Sequence, residues 1–136
     1  MLWTGRVLST LIVLFMLMDG VMKIVKPEPV VKGTMEMGYP ESAIVPIGVA
    51  ALAGAILYMI PQTAVLGAIV LTGFFGGAVA SHVRVQDSWY FFAIAFGIIT
   101  WLGLYFRDAR VRALIPLATR CEPARTVSGV PVPSIA

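Results

Sequence analysis

The sequence predicts an all-α membrane protein, a bundle of four transmembrane helices with both termini in the cytoplasm. Three observations carry this expectation. Hydrophobic residues make up 59% of the 136 residues and charged residues only 12%, against about 25% charged in an ordinary soluble domain. A water-soluble fold of this size would expose more apolar surface than it could keep in solution, and a bilayer removes that conflict. The stretch from Ser42 to Ser81 contains no charged side chain, and it is about twice as long as the ~20 helical residues that cross a hydrocarbon core. Finally, six of the ten basic residues (Arg6, Arg107, Arg110, Arg112, Arg120 and Arg125) lie near the two chain ends.

The first apolar segment runs from Val7 to Val25. With Arg6 ahead of it the segment resembles a signal-peptide core. No small-x-small cleavage pattern follows, however, only Asp19, Gly20, Val21, Met22 and Lys23, so an uncleaved first helix is expected. Residues 26–42 form the longest internal polar stretch, punctuated by Pro27, Pro29, Gly33, Gly38 and Pro40. It has room for a short interfacial helix from Val30 to Met37. Pro61, Gln62 and Thr63 divide the uncharged region into a hairpin of helices two (43–60) and three (64–81), because proline ends one helix and can open the next. His82 to Asp87 reads as a polar loop. Helix four follows over 88–106 and stops at Arg107, Asp108 and Arg110. The four-helix domain thus covers 1–118. The tail, 119–136, carries Pro123, Gly129, Pro131 and Pro133 without apolar periodicity and is expected to be flexible.

An even number of crossings puts both termini on one side of the membrane. That side carries six Lys/Arg, and the other carries four: Lys23, Lys26, Lys32 and Arg84. The positive-inside rule therefore places the termini in the cytoplasm. Aromatic residues fit the same map, with Trp3, Tyr58 and Tyr105 at the cytoplasmic interface and Tyr39, Trp89 and Tyr90 at the outer one.

Several function classes are excluded by counting. One cysteine (Cys121) and one histidine (His82) give neither an internal disulfide nor a multi-His metal site within one chain. No haem, iron–sulfur or zinc signature is visible. The basic residues form no surface broad enough to track nucleic-acid phosphates, and lipid headgroups are the expected anionic partner.

Helix three holds a packing signal. Gly73, Gly77 and Ser81 are spaced by four, with Gly76 beside them, and Ala50 and Gly54 repeat the spacing on helix two. Small residues let membrane helices approach closely. Intramolecular packing is the first reading, and a homodimer face or a ligand groove are the alternatives. Asp19 and Lys23 lie one turn apart on one face of helix one. Lys23 can snorkel to the interface, but Asp19 lies about 9 Å inside the helix end, where a carboxylate costs about 2–3 kcal/mol. His82 and Arg84 end helix three on the same side. Asp19, Lys23, His82 and Arg84 are thus expected to form one polar cluster in the outer half of the bundle. Its plain role is a charge pair that sets helix register; its functional role is to hold a polar headgroup, a quinone or a proton. No catalytic residue is assigned, since Ser81 and His82, adjacent on a helix, point apart.

These residues carry a resemblance. Asp19-Gly20-Val21-Met22-Lys23, Gly38-Tyr39-Pro40-Glu41, and the run from Thr63 through Leu71-Thr72-Gly73-Phe74-Phe75-Gly76-Gly77 to His82-Val83-Arg84 resemble the DoxX-like group of small four-helix bacterial membrane proteins. The resemblance spans roughly residues 5–115. It implies a four-helix membrane fold. Broader DoxX relatives include membrane subunits linked to quinone-coupled sulfur oxidation and to oxidative-stress complexes, associations that fold alone does not transfer. The leading expectation is an accessory or binding subunit that engages a lipid, a quinone or a partner protein through the polar cluster. The alternative is a small redox enzyme, or a subunit of a quinone-coupled oxidoreductase, using Asp19 or His82 for proton transfer. A homodimer or a partner membrane protein fits either. Transport is a third reading, disfavoured because four spans without a broken helix leave one chain little room for a pathway.

Overall fold

The computed structural model describes residues 2–114; the expected tail at 119–136, with Cys121, Arg120 and Arg125, lies outside them. Helix α1 spans Leu2–Val25, and its 24 residues extend about 36 Å. It starts before Val7 because its first turn packs against the end of the last span: a Cβ at Gly5 would sit 2.8 Å from the Arg107 nitrogen. It ends where Pro27 disfavours helical geometry in the preceding residue. Lys26 turns to φ 54° while its N–H still donates to the Met22 carbonyl at 3.0 Å.

Helix α2 spans Glu28–Glu36. It begins earlier than the interfacial helix expected at Val30, because prolines in a first turn remove only N–H groups that have no helical partner. It closes on Gly38, at φ 87°, with Tyr39 N–H donating back to the Thr34 carbonyl at 3.4 Å and Gly38 N–H to Met35 at 2.9 Å. This Schellman-type stop turns Tyr39 towards the bundle.

A 3-10 turn at Glu41–Ala43 leads into α3, Ile44–Met59, and the two form one continuous span. Ile60 becomes extended ahead of Pro61, and the chain reverses over Ile60–Thr63. The Thr63 hydroxyl secures that turn by donating to the Leu57 carbonyl at 2.9 Å. Helix α4, Ala64–Arg84, runs through the segment expected to open the polar loop, since no helix breaker stands between Ser81 and Gln86. It stops in a second Schellman turn, with Gln86 at φ 56° and Asp87 N–H donating to the His82 carbonyl at 3.0 Å. Helix α5 covers Tyr90–Arg107. Asp108 then accepts from the Arg110 N–H at 2.8 Å and opens a short α6, Ala109–Leu114, which the sequence reading did not anticipate.

Among the described residues, four helices are long and apolar enough to cross a membrane. Helix α1 packs on α3 and α5, and α4 packs on the same two, so the helices stand in a ring with α1 and α4 on one diagonal. Their outer surface is apolar, with Leu11, Leu14, Met18, Ile69, Phe91 and Ile98 all exposed. In water that surface would aggregate, and in a bilayer it is solvated.

The ring is filled at the end holding the α3–α4 turn. Tyr58 is fully buried there. Its hydroxyl donates to the Thr100 carbonyl at 2.8 Å and lies 3.1 Å from the Ser9 hydroxyl. The Arg107 guanidinium donates to the Tyr58 carbonyl at 2.9 Å and lies over its ring. Tyr58 therefore ties α1, α3 and α5 together and does not belong to the interfacial belt assigned from sequence. A residue near a helix end reads the same whether it meets lipid or a neighbour; the buried partners decide it.

Candidate functional site

At the other end, under α2, the ring is not filled. A cavity of about 540 Å³ lies between the four spans. Its walls are largely aromatic: Phe15, Phe74, Phe75 and Phe96 all line it. Phe15 stacks on Phe96 at 4.3 Å between ring centroids, and Phe75 lies 6.1 Å from Phe96. Pro29, Val30, Gly33 and Thr34 line it from α2, and Met37 from the residue that caps it. They recur at helical spacing, so one face of the short helix covers the cavity and Glu28, Lys32 and Glu36 are left on the other.

Asp19, Lys23, Ser81 and His82 also line the cavity. Lys23 and Asp19 form a hydrogen-bonded ion pair with side chains 15% and 27% exposed, and the ammonium lies 5.9 Å from the centre of the Phe74 ring. The carboxylate uses one oxygen; Asp19 Oδ2 is buried with no hydrogen-bond partner among the described residues. A buried acceptor without a donor is costly and is a common mark of a site that meets something else. The stop of α4 brings Asp87 back beside its own last turn, placing Asp87 Oδ2 3.3 Å from His82 Nδ1. That contact lacks hydrogen-bond geometry, so Nδ1 is also buried and unsatisfied. The Ser81 hydroxyl lies 2.6 Å from the Tyr39 hydroxyl and donates to the Gly77 carbonyl at 2.7 Å. The cavity is amphipathic: an aromatic body under a rim of one ion pair, one imidazole and two hydroxyls.

A family model, the DoxX-like family, matches residues 7–104. The chain belongs to the DoxX-like family. With four apolar spanning helices, this DoxX-like chain is a multi-pass membrane protein. No curated protein and no solved structure gives a significant match.

Three of the four polar residues singled out in the DoxX-like sequence meet at this cavity, and one does not. Arg84 is exposed and lies against Gly38, its guanidinium 3.6 Å from where a Gly38 Cβ would stand. Extending α4 by a turn carries it past the rim. The small-residue stripe is also reassigned. A Cβ on Gly73, Gly76 or Gly77 would meet no described atom within 4 Å, so these glycines do not serve packing inside the bundle; Gly73 and Gly77 line the cavity, as do Ala50 and Ser81. Of the residues that the spacing marked, Gly54 is closely packed, its Cβ 2.8 Å from Leu71, and close packing falls besides on Gly67 at 2.2 Å from the Tyr58 nitrogen and on Gly20 facing Gly48 between α1 and α3. Spacing by four marks a face but does not say what the face meets.

Sequence reasoning missed the aromatic wall and Tyr39. The phenylalanines are indistinguishable from lipid-facing ones in a segment that is apolar all round. Tyr39 carried one signal, its place between Gly38 and Pro40, where backbone constraints on both sides aim a side chain. Among the described residues no group of three His, Cys, Asp or Glu stands close enough to hold a metal ion.

Proposed function

We propose that this chain is a binding subunit of the membrane that holds one amphipathic small molecule, a lipid or a quinone, in the cavity under α2. The observation that carries the reading is the cavity's division into an aromatic body and a polar rim. Ligand sites are concave and mostly apolar, with few polar groups placed to fix orientation. A flat ring or the start of a chain packs among Phe15, Phe74, Phe75 and Phe96, and a hydroxyl or carbonyl head meets Lys23, Asp19, His82 and Ser81. The distribution of basic residues supports cytoplasmic termini in a bacterial inner membrane, which puts the rim in the outer half of the bilayer. A homodimer or a partner membrane protein is compatible with this reading, and its apolar flanks offer the surface.

A second reading follows from His82, 3.3 Å from Asp87, and the unpaired Asp19 oxygen, since both residues line the cavity. Two proton-accepting groups at the head of a bound quinone would suit proton transfer in a redox complex. Native mass spectrometry with lipid extraction, on protein solubilised in mild detergent, tests the binding reading by comparing wild type with Asp19→Ala. We expect one lipid or quinone retained by wild type and lost from the variant. No retained molecule, with a variant that is merely less stable, would leave Asp19 as a structural partner of Lys23 and refute the proposal.

A further inference from the structure

The geometry points to a lateral window: the cavity opens into the bilayer between α3 and α4, and its occupant keeps a hydrocarbon chain out through that opening. This rests on the cavity being a ligand site, as proposed above, and adds where the molecule enters and what class it belongs to.

The opening is closed at both ends, by α3 itself near the turn and by the segment ahead of α3 at the α2 end. Near the turn, Gly67 lies against the Tyr58 backbone and Gly54 against Leu71. At the α2 end the Tyr39 and Ser81 hydroxyls close the gap at 2.6 Å. Between these seals, from Leu71 to Ser81, α4 rises about 15 Å. Over that length Gly73 and Gly77 of α4 and Ala50 of α3 are exposed and also line the cavity. Phe15 of α1 and Trp89 and Phe92 of α5 are also exposed and line the cavity, but they put stacked rings at the surface. Gly73, Gly77 and Ala50 put no side chain larger than a methyl there, and the surroundings of both spans are lipid. No described atom stands within 4 Å of a Cβ built on either glycine. Glycine is less favourable than alanine inside a helix, and the bundle's own packing gives no reason for it at these positions.

Size and polarity select the occupant. A cavity of about 540 Å³ holds one drug-sized body, but not a whole membrane lipid or long-chain quinone. The aromatic wall presents no hydrogen-bonding side chain, so the part of the ligand below the rim is apolar. The class is therefore a tailed amphiphile drawn from the bilayer, its head at the Asp19–Lys23 rim and its chain leaving past Gly73 and Gly77.

The test is a titration by native mass spectrometry of the full chain in mild detergent with two tailed probes, decyl-benzoquinone and palmitoyl-lysophosphatidylglycerol. Their heads alone, benzoquinone and glycerophosphoglycerol, are the comparison. We expect wild type to bind at least one tailed probe about tenfold or more tighter than its head, and which probe binds separates a quinone from a lipid. Gly73→Leu and Gly77→Leu should each weaken that probe by about tenfold or more. Gly76→Leu, whose new side chain also meets no described atom at its Cβ but does not line the cavity, should bind as wild type does. Unchanged melting temperatures show that the variants fold, and Gly73→Ala and Gly77→Ala provide milder versions. Full affinity in both leucine variants, with loss in Asp19→Ala, would overturn the window and leave the binding site standing. No binding of any probe by wild type would overturn both. Loss of a dimer in all three leucine variants, without change in probe binding, would assign the glycine face to a second copy and overturn the window.

Discussion

Two alanine substitutions on α4, Gly67→Ala and Gly73→Ala, should act with opposite sign, although both replace a helical glycine in an apolar segment. At Gly67 the new methyl would stand 2.2 Å from the Tyr58 nitrogen, 2.5 Å from its Cα and 2.7 Å from the Leu57 carbonyl carbon. All three are backbone atoms, so no side-chain rotation relieves the contact. The helices must move apart by more than an ångström, and Tyr58 moves with α3, which disturbs its bonds to Ser9, Thr100 and Arg107. Overpacking of this kind costs about 1–3 kcal/mol and outweighs the gain of up to about 1 kcal/mol from alanine's helix propensity. At Gly73 the methyl meets no described atom, and only the propensity gain remains. The propensity gain is common to both variants and cancels in their difference, so they should differ by about 1–3 kcal/mol, with Gly73→Ala at or above wild type. Unfolding in mild detergent, followed by helical circular dichroism across an SDS titration, measures this. Equal damage at the two positions would mean that Gly73 packs against something, and wild-type stability in Gly67→Ala would mean that α3 and α4 are not in backbone contact.

Tyr58→Phe removes the hydroxyl that links Ser9 to the Thr100 carbonyl and should cost about 1–3 kcal/mol in the same titration; Ser9→Ala, which leaves the bond to Thr100, should cost less. Lys23→Met leaves Asp19 without its cation and should destabilise by about 1–3 kcal/mol, while the double variant Lys23→Met/Asp19→Leu should recover most of that; an additive double variant would show that the pair is not coupled. Tyr39→Phe or Ser81→Ala breaks the hydroxyl pair at the α2 end of the window, and hydrogen exchange over residues 27–39 should rise in both, with no change at Tyr58. Unaltered exchange would mean that the pair does not hold α2 in place.

The four spans and the family were legible without coordinates, because each is written in local chemistry. A segment either has enough consecutive apolar residues to cross hydrocarbon or it does not, and proline and charge mark its ends within a few residues. The boundary misses were also local in origin. Polarity at His82–Arg84 was taken for a loop, yet polar residues extend a helix where nothing breaks it; prolines at Pro27 and Pro29 were taken as punctuation, yet they open α2. Asp19, Lys23 and His82 stood out for the same reason, since an ionisable group in an apolar helix is conspicuous wherever it points.

Direction was not legible. In a soluble helix the polar face identifies the buried one by contrast, but these spans are apolar on every side, so Phe15 and Phe96, which wall the cavity, look like Phe91, which faces lipid. Gly67 and Gly73 are equivalent as sequence: one lies against the backbone of Tyr58, and the other opens on the cavity. Composition and order determined that the chain lives in a membrane and how often it crosses. Only the packing of the ring decided which residues meet a neighbour, a lipid or an empty space, because in hydrocarbon the apolar character that inserts a helix is the same on its inner and outer faces.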